Sequence, residues 1–99
     1  MDRYRISQER YKELRKLCGD PDYEEMIDEA LEQIDDWIAP WIKRHVTSKR
    51  WRWRHMERAG IPCGGDTFRL HRAKFYYHLD MIQKRGEQKA MTEEYNDDS

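Results

Sequence analysis

Apolar side chains recur along this chain at helical spacing, and strand-like alternation is nearly absent. The first amphipathic stretch predicts a helix from about Ser7 to Cys18, with Tyr11, Leu14, Leu17 and Cys18 on one face. Ser7 is its N-cap candidate, although Arg10 rather than an acidic residue stands three positions on, so the capping box is incomplete. Gly19-Asp20-Pro21-Asp22 stops that helix and starts the next. Tyr23-Glu24-Glu25 suits a helix N-terminus, and Ile27, Leu31, Ile34, Ile38, Trp41 and Ile42 then share one side, with carboxylates on the other. Pro40 predicts a kink, or an end near Ala39 with a restart at Trp41. Ser48 is the cap candidate for a short helix from about Lys49 to Ala59, and Gly60-Ile61-Pro62-Cys63-Gly64-Gly65 is a turn. Gly65 or Asp66 caps a last helix, about Thr67 to Lys84, which Gly86 ends. The expected fold is all-α, with four to five helices in a single domain over residues 1–88. Residues 89–99 read as an acidic, disordered tail.

Ninety-nine residues with four tryptophans and six tyrosines are enough for one modest core. No apolar run approaches a membrane span and no signal peptide is visible, so the expectation is a soluble protein of the bacterial cytoplasm with reduced cysteines. Charge changes the picture more. From Lys43 to Arg85 there are twelve Lys or Arg against three acidic residues, and all four histidines fall there. Residues 1–42 carry six basic against twelve acidic residues, and residues 86–99 carry one against five. A near-neutral total of −1 thus hides a basic block between acidic flanks, the electrostatic footprint of a polyanion-binding surface. The acidic face of the second helix is most simply a solvated surface.

A short basic helix, a tight turn and a longer basic helix have the layout of a helix-turn-helix, at about residues 48–85. In that motif the first helix braces the second, whose N-terminal half enters the DNA major groove. Around the last helix, Phe68, Phe75, Leu79 and Ile82 form a core stripe, and Arg69, Arg72, Tyr76 and Gln83 share an adjacent stripe without apolar members. Leu70, Ala73, Tyr77 and Met81 lie roughly opposite the core stripe, to pack on the amino-terminal helices or to pair with a second copy. The candidate DNA contacts are Lys49, Arg50, Arg52 and Arg54 along the phosphate backbone, with Thr67, Arg69, Arg72, Lys74 and Tyr76 from the last helix. Arginine can donate two bonds to the major-groove edge of guanine, which makes Arg69 and Arg72 the base-reading candidates. Trp51 and Trp53, interleaved with the basic residues, either anchor their helix or lie against sugar and phosphate.

The stretch Ile61-Pro62-Cys63-Gly64-Gly65-Asp66-Thr67-Phe68, followed by Arg72-Ala73-Lys74-Phe75-Tyr76-Tyr77-His78-Leu79, resembles the C-terminal signature of small phage and prophage proteins of Firmicutes. Ile6 to Leu14 is similar to their opening helix, and Ile42 to Thr47 to the stretch before their helix-turn-helix. These proteins resemble ArpU/RinA-type late-transcription regulators, whose C-terminal domain is similar to region 4 of sigma factors. The resemblance implies a phage-type transcriptional regulator that contacts duplex DNA, with RNA polymerase or another host protein as a further partner, acting as monomer or homodimer. Gly65 stands where those proteins often have arginine, and the turn is about two residues longer than in a standard helix-turn-helix. The reading from another class is a phage-encoded inhibitor of a host protein or nucleoprotein complex, which the acidic second helix favours.

Other chemistry has little to stand on. Cys18, Cys63 and the four histidines show no zinc-finger spacing. Cys63, near a helix start among basic residues, invites a lowered pKa, but no motif supplies a base. Gly64-Gly65 lacks the lysine and the preceding strand of a phosphate-binding loop. No enzyme activity, metal or cofactor is expected.

Overall fold

The computed structural model describes residues 6–48 and 50–97, with side chains through Gly86. Among the described residues the chain is helical without strands: α1 (Gln8–Leu17), α2 (Glu24–Leu31), α3 (Ala39–Thr47), α4 (Trp53–Arg58) and α5 (Gly65–Asp97). The capping chemistry explains several of these boundaries. Ser7 Oγ accepts from the Arg10 amide at 3.2 Å and opens α1. Asp20 Oδ1 accepts from the Asp22 amide at 3.0 Å, and Pro21 begins a short 3-10 turn before α2. Helix α4 ends in a paired C-terminal motif, with Gly60 N–H donating to Glu57 O and Ile61 N–H to Met56 O, both at 3.1 Å. That motif needs a left-handed residue, and Gly60 supplies it at φ +87°.

Four boundaries differ from the sequence expectation. Helix α2 stops at Leu31, well before Pro40, and Pro40 sits in the first turn of α3 instead of kinking a longer helix. Proline is favourable there because the first amides of a helix need no intrahelical partner. Turns bridge the gap while Ile34 and Ile38 stay buried, so the helical apolar spacing persists through a segment that is not a continuous helix. Helix α4 starts at Trp53, because the backbone at Trp51 is drawn out of helical register: its carbonyl accepts from His45 Nδ1 at 2.8 Å. Ser48 follows α3 as its extended C-cap residue. Helix α5 starts at Gly65, two residues before the expected Thr67. It also passes through Gly86 to Asp97, where the sequence predicted an end. A glycine inside a helix costs only about 1 kcal/mol against alanine, and the helix formers Glu87 to Met91 follow directly.

Helix α5 is the spine on which the shorter helices pack. Phe68, Phe75, Tyr76 and Leu79 are its buried face, and they meet Leu14 and Cys18 of the α1 end, Ile27, Ala30 and Leu31 of α2, Ile34 and Ile38 of the turns, Ile42 and Val46 of α3, and Met56 of α4. Helix α1 runs antiparallel to α5: Arg10 Nε donates to Asp80 Oδ1 at 2.6 Å and Arg10 also bonds Gln83, while Tyr11 meets Tyr76 edge-on at 4.8 Å. Two neighbouring carboxylates of α2 are engaged, Asp28 by Lys43 at 2.8 Å and Glu29 by Arg85 at 3.4 Å. The acidic face is therefore exposed but partly engaged internally. Along the Leu70–Met81 strip, Leu70, Ala73 and Tyr77 are half-buried and Met81 is 44% exposed.

Candidate nucleic-acid interface

The last two turns of α1 carry Lys12, Arg15 and Lys16, spaced i, i+3, i+4 and so on one helical face. Because α1 runs antiparallel to α5, this end of α1 meets the end of α3. Between them lies an open groove of about 840 Å³, walled by Lys12, Arg15 and Lys16 on one side and by His45, Trp51 and Arg52 on the other, with Tyr76 also lining it. One carboxylate, Asp20, borders the same groove. The concave surface thus joins cations that are far apart in sequence.

His45 organises the wall between α3 and α5. The Trp51 carbonyl can only accept, so His45 Nδ1 carries the proton of that 2.8 Å bond. The other ring nitrogen, Nε2, then offers its lone pair to Arg72 Nη1 at 3.4 Å. Burial, followed by the nearby charges of Arg72 and Arg15, holds the imidazole below its ordinary pKa of 6.5, against the opposing pull of the Trp51 carbonyl. The His45 ring also meets Phe68 edge-on at 5.2 Å. A neutral His45 therefore fixes the loop at Trp51 and the position of Arg72 together.

This arrangement has a pH consequence. The folded state disfavours the imidazolium more than the unfolded chain does, so the neutral ring contributes stability that is fully present above pH 6.5 and is lost as pH falls from there through the depressed folded value. His78, also lowered, by burial and by Lys74, acts in the same direction. The thermal midpoint should fall between about pH 7.5 and about pH 5.5, and His45→Gln should show a smaller fall because the share of His45 is removed. An equal fall in both proteins would remove His45 as the cause.

The candidate contacts separate into groups. Arg50, Arg52 and Arg54 are exposed, and Arg52 lines the groove. Lys49 lies outside the described residues. Arg69 is 71% exposed, with Asp66 3.5 Å away as an exposed neighbour in the helix. Arg72 is half-buried against His45, its guanidinium 6.0 Å from the centre of the Phe68 ring. Tyr76 is a correction: at 1% exposure it is a core residue, packed between Tyr11 and Phe75, and burial pushes its phenol far above the usual range. The stripe that lacked apolar members in sequence is the one α1 covers, and a tyrosine ring fills that contact. Thr67 and Lys74 also part from the others. Each lies roughly opposite Arg69 or Arg72 around α5, at about 100° per residue, so one continuous surface with both arginines excludes them.

Trp51 and Trp53 act as anchors. Arg44 lies 3.8 Å over the Trp51 ring and His55 stacks on the same residue at 5.9 Å, while Trp53 packs against Phe68 at 5.6 Å. Trp51 Nε1 is enclosed without an acceptor among the described residues. Cys63 does not show the lowered pKa that its position suggested: burial pushes the thiol up, and Cys18, deeper in the core, is pushed up to about 12. Among the described residues no cluster of His, Cys, Asp or Glu is placed to hold a metal ion, and no helix is long and apolar enough to cross a membrane.

Lys12, Arg15 and Lys16 were the residues that sequence reasoning missed. They belong to an amino-terminal segment with an acidic total, which concealed their common helical face. Their i, i+3, i+4 spacing was the available signal. No family model, curated protein or solved structure matches the chain.

Proposed function

We propose that this protein binds duplex DNA as a phage-type transcriptional regulator, with α4, its turn and α5 acting as a sigma-like helix-turn-helix and the α1 groove seating a phosphate strand. The observation that carries the reading is how the cations are partnered. Arg10, Lys43, Lys84 and Arg85 are each engaged by carboxylates elsewhere on the surface. Among the cations without a carboxylate partner in the described residues, Lys12, Arg15, Lys16 and Arg52 line the groove together. Unpaired cations gathered on one concave surface repel one another, and a polyanion relieves that repulsion with release of its counterions. Arg10 and Tyr11 of α1 meet α5 at Asp80 and Tyr76, and Arg69, in the second turn of α5, is exposed and available to a major groove.

Fluorescence anisotropy with random and phage-promoter duplexes across a salt series tests this. Arg15→Ala with Lys16→Ala should weaken every duplex alike and flatten the salt dependence by about 0.9 for each phosphate no longer neutralised. Arg69→Ala should weaken the preferred duplex by about 1–3 kcal/mol and leave random DNA nearly unchanged. If all three substitutions leave binding at wild-type strength, the DNA reading fails. The alternative, a phage-encoded inhibitor of a host protein, is favoured by Trp37, 44% exposed beside the acidic residues Asp35 and Asp36. There, Trp37→Ala would abolish binding to the host protein and the groove substitutions would not.

A further inference from the structure

The groove between α1 and α3 is larger than a track for phosphates requires, because exposed cations alone meet a row of phosphates from outside. Its volume of about 840 Å³ falls within the range of small-molecule sites, roughly 300–1,000 Å³. Burial grades its lining: Lys12, Arg15, Lys16 and Arg52 are exposed, His45 and Trp51 are half-buried, and Val46 and Tyr76 are buried. The cations therefore form the rim, and the floor is apolar and aromatic. Tyr76 is 1% exposed yet lines the groove, and its hydroxyl has no hydrogen-bond partner among the described residues. We propose that the groove receives one unpaired nucleotide of the bound strand, its phosphates on the cationic rim and its base on that floor.

The chemistry of the floor selects a nucleobase. Burial keeps the Tyr76 phenol protonated, so it offers an O–H for which the protein supplies no acceptor. The carbonyl oxygens and ring nitrogens of a base are acceptors, and its flat ring suits a floor of Val46 with aromatic walls. That wall is set before any ligand arrives: His45 Nδ1 donates to the Trp51 carbonyl at 2.8 Å, and Arg44 lies 3.8 Å over the Trp51 ring. A paired base is stacked inside the duplex and does not reach the floor, whereas an unpaired one turns out of the helix far more easily. The inference rests on the DNA-binding reading and adds to it a preference for DNA that carries an unpaired base.

Fluorescence anisotropy at one salt concentration compares the wild-type protein on three duplexes of the same sequence: fully paired, with a single bulged thymidine, and with that bulge made abasic. The thymidine bulge should bind about tenfold tighter than the paired duplex. The abasic bulge keeps the extra phosphate and the flexibility but lacks the base, so it should bind about as the paired duplex does. Tyr76→Phe keeps the buried ring and removes only the hydroxyl, so it should shrink the preference for the bulge about threefold or more. Equal binding to all three duplexes, or an abasic bulge bound as tightly as the thymidine bulge, overturns the inference and leaves the DNA reading standing. A preference that Tyr76→Phe leaves whole places the base elsewhere and overturns it too. Failure to bind any of the three removes the DNA reading itself, and this inference with it.

Discussion

Phe75→Ala is expected to remove about 3–5 kcal/mol of stability, enough to leave a domain of this size largely unfolded at 25 °C. Phe75 is fully buried on the core face of α5, with the ring of Tyr76 5.2 Å away and residues from the other helices around it. No other element replaces α5 as the packing surface, so the cavity cannot be closed by a local shift. Phe75→Leu keeps most of the volume and should cost less than about 1.5 kcal/mol. Urea unfolding followed by tryptophan fluorescence separates the two. A loss below about 1.5 kcal/mol for the alanine variant would show that the core repacks and that α5 is not its spine.

Asp80→Ala should cost about 3 kcal/mol, a large effect for one polar side chain. Asp80 is a buried carboxylate, 6% exposed, that accepts from Arg10 Nε at 2.6 Å and lies 3.1 Å from Lys84 Nζ. Burial pushes its carboxyl up, but Arg10 and Lys84 together outweigh that and hold it below the ordinary 3.8. Its contribution is therefore complete above that value and is lost only as pH falls through the depressed one. Removing the carboxylate leaves the Arg10 guanidinium, itself largely covered, with Gln83 and the exposed Glu13. Helix α1, ten residues long, is too short to persist alone, so its helical signal should fall once Asp80 no longer holds it. Arg10→Ala combined with Asp80→Ala should cost less than the sum of the two single substitutions. Strict additivity would show that the pair does not hold α1 in place.

Much of the fold was legible because it rests on local rules. Ser7 caps α1 from its own side chain, Asp20 and Pro21 punctuate the chain before α2, and Gly60 supplies the left-handed turn after α4. The Phe68, Phe75 and Leu79 stripe is a helical period that only burial satisfies. The break between α2 and α3 was hidden because Ile34 and Ile38 keep helical spacing through turns, and Pro40 fits a first turn as well as it fits a kink. The start of α4 was hidden because a bond from His45, six residues earlier, decides it.

The candidate site divides along the same line. Composition alone showed a basic block, and periodicity alone placed Arg69 and Arg72 on one side of α5. That Tyr76 is core, that Arg72 is held by His45, and that Lys12, Arg15 and Lys16 of a nominally acidic segment share a groove with Arg52 depend on how α1 lies along α5. By itself, then, the sequence determined the helical class, the caps and turns and the core stripe of α5, because those follow from backbone chemistry and period within a few residues. Only the tertiary structure decided which cations face one another and which polar stripe is covered, because the antiparallel docking of α1 is set by contacts some seventy residues apart, Arg10 on Asp80 above all.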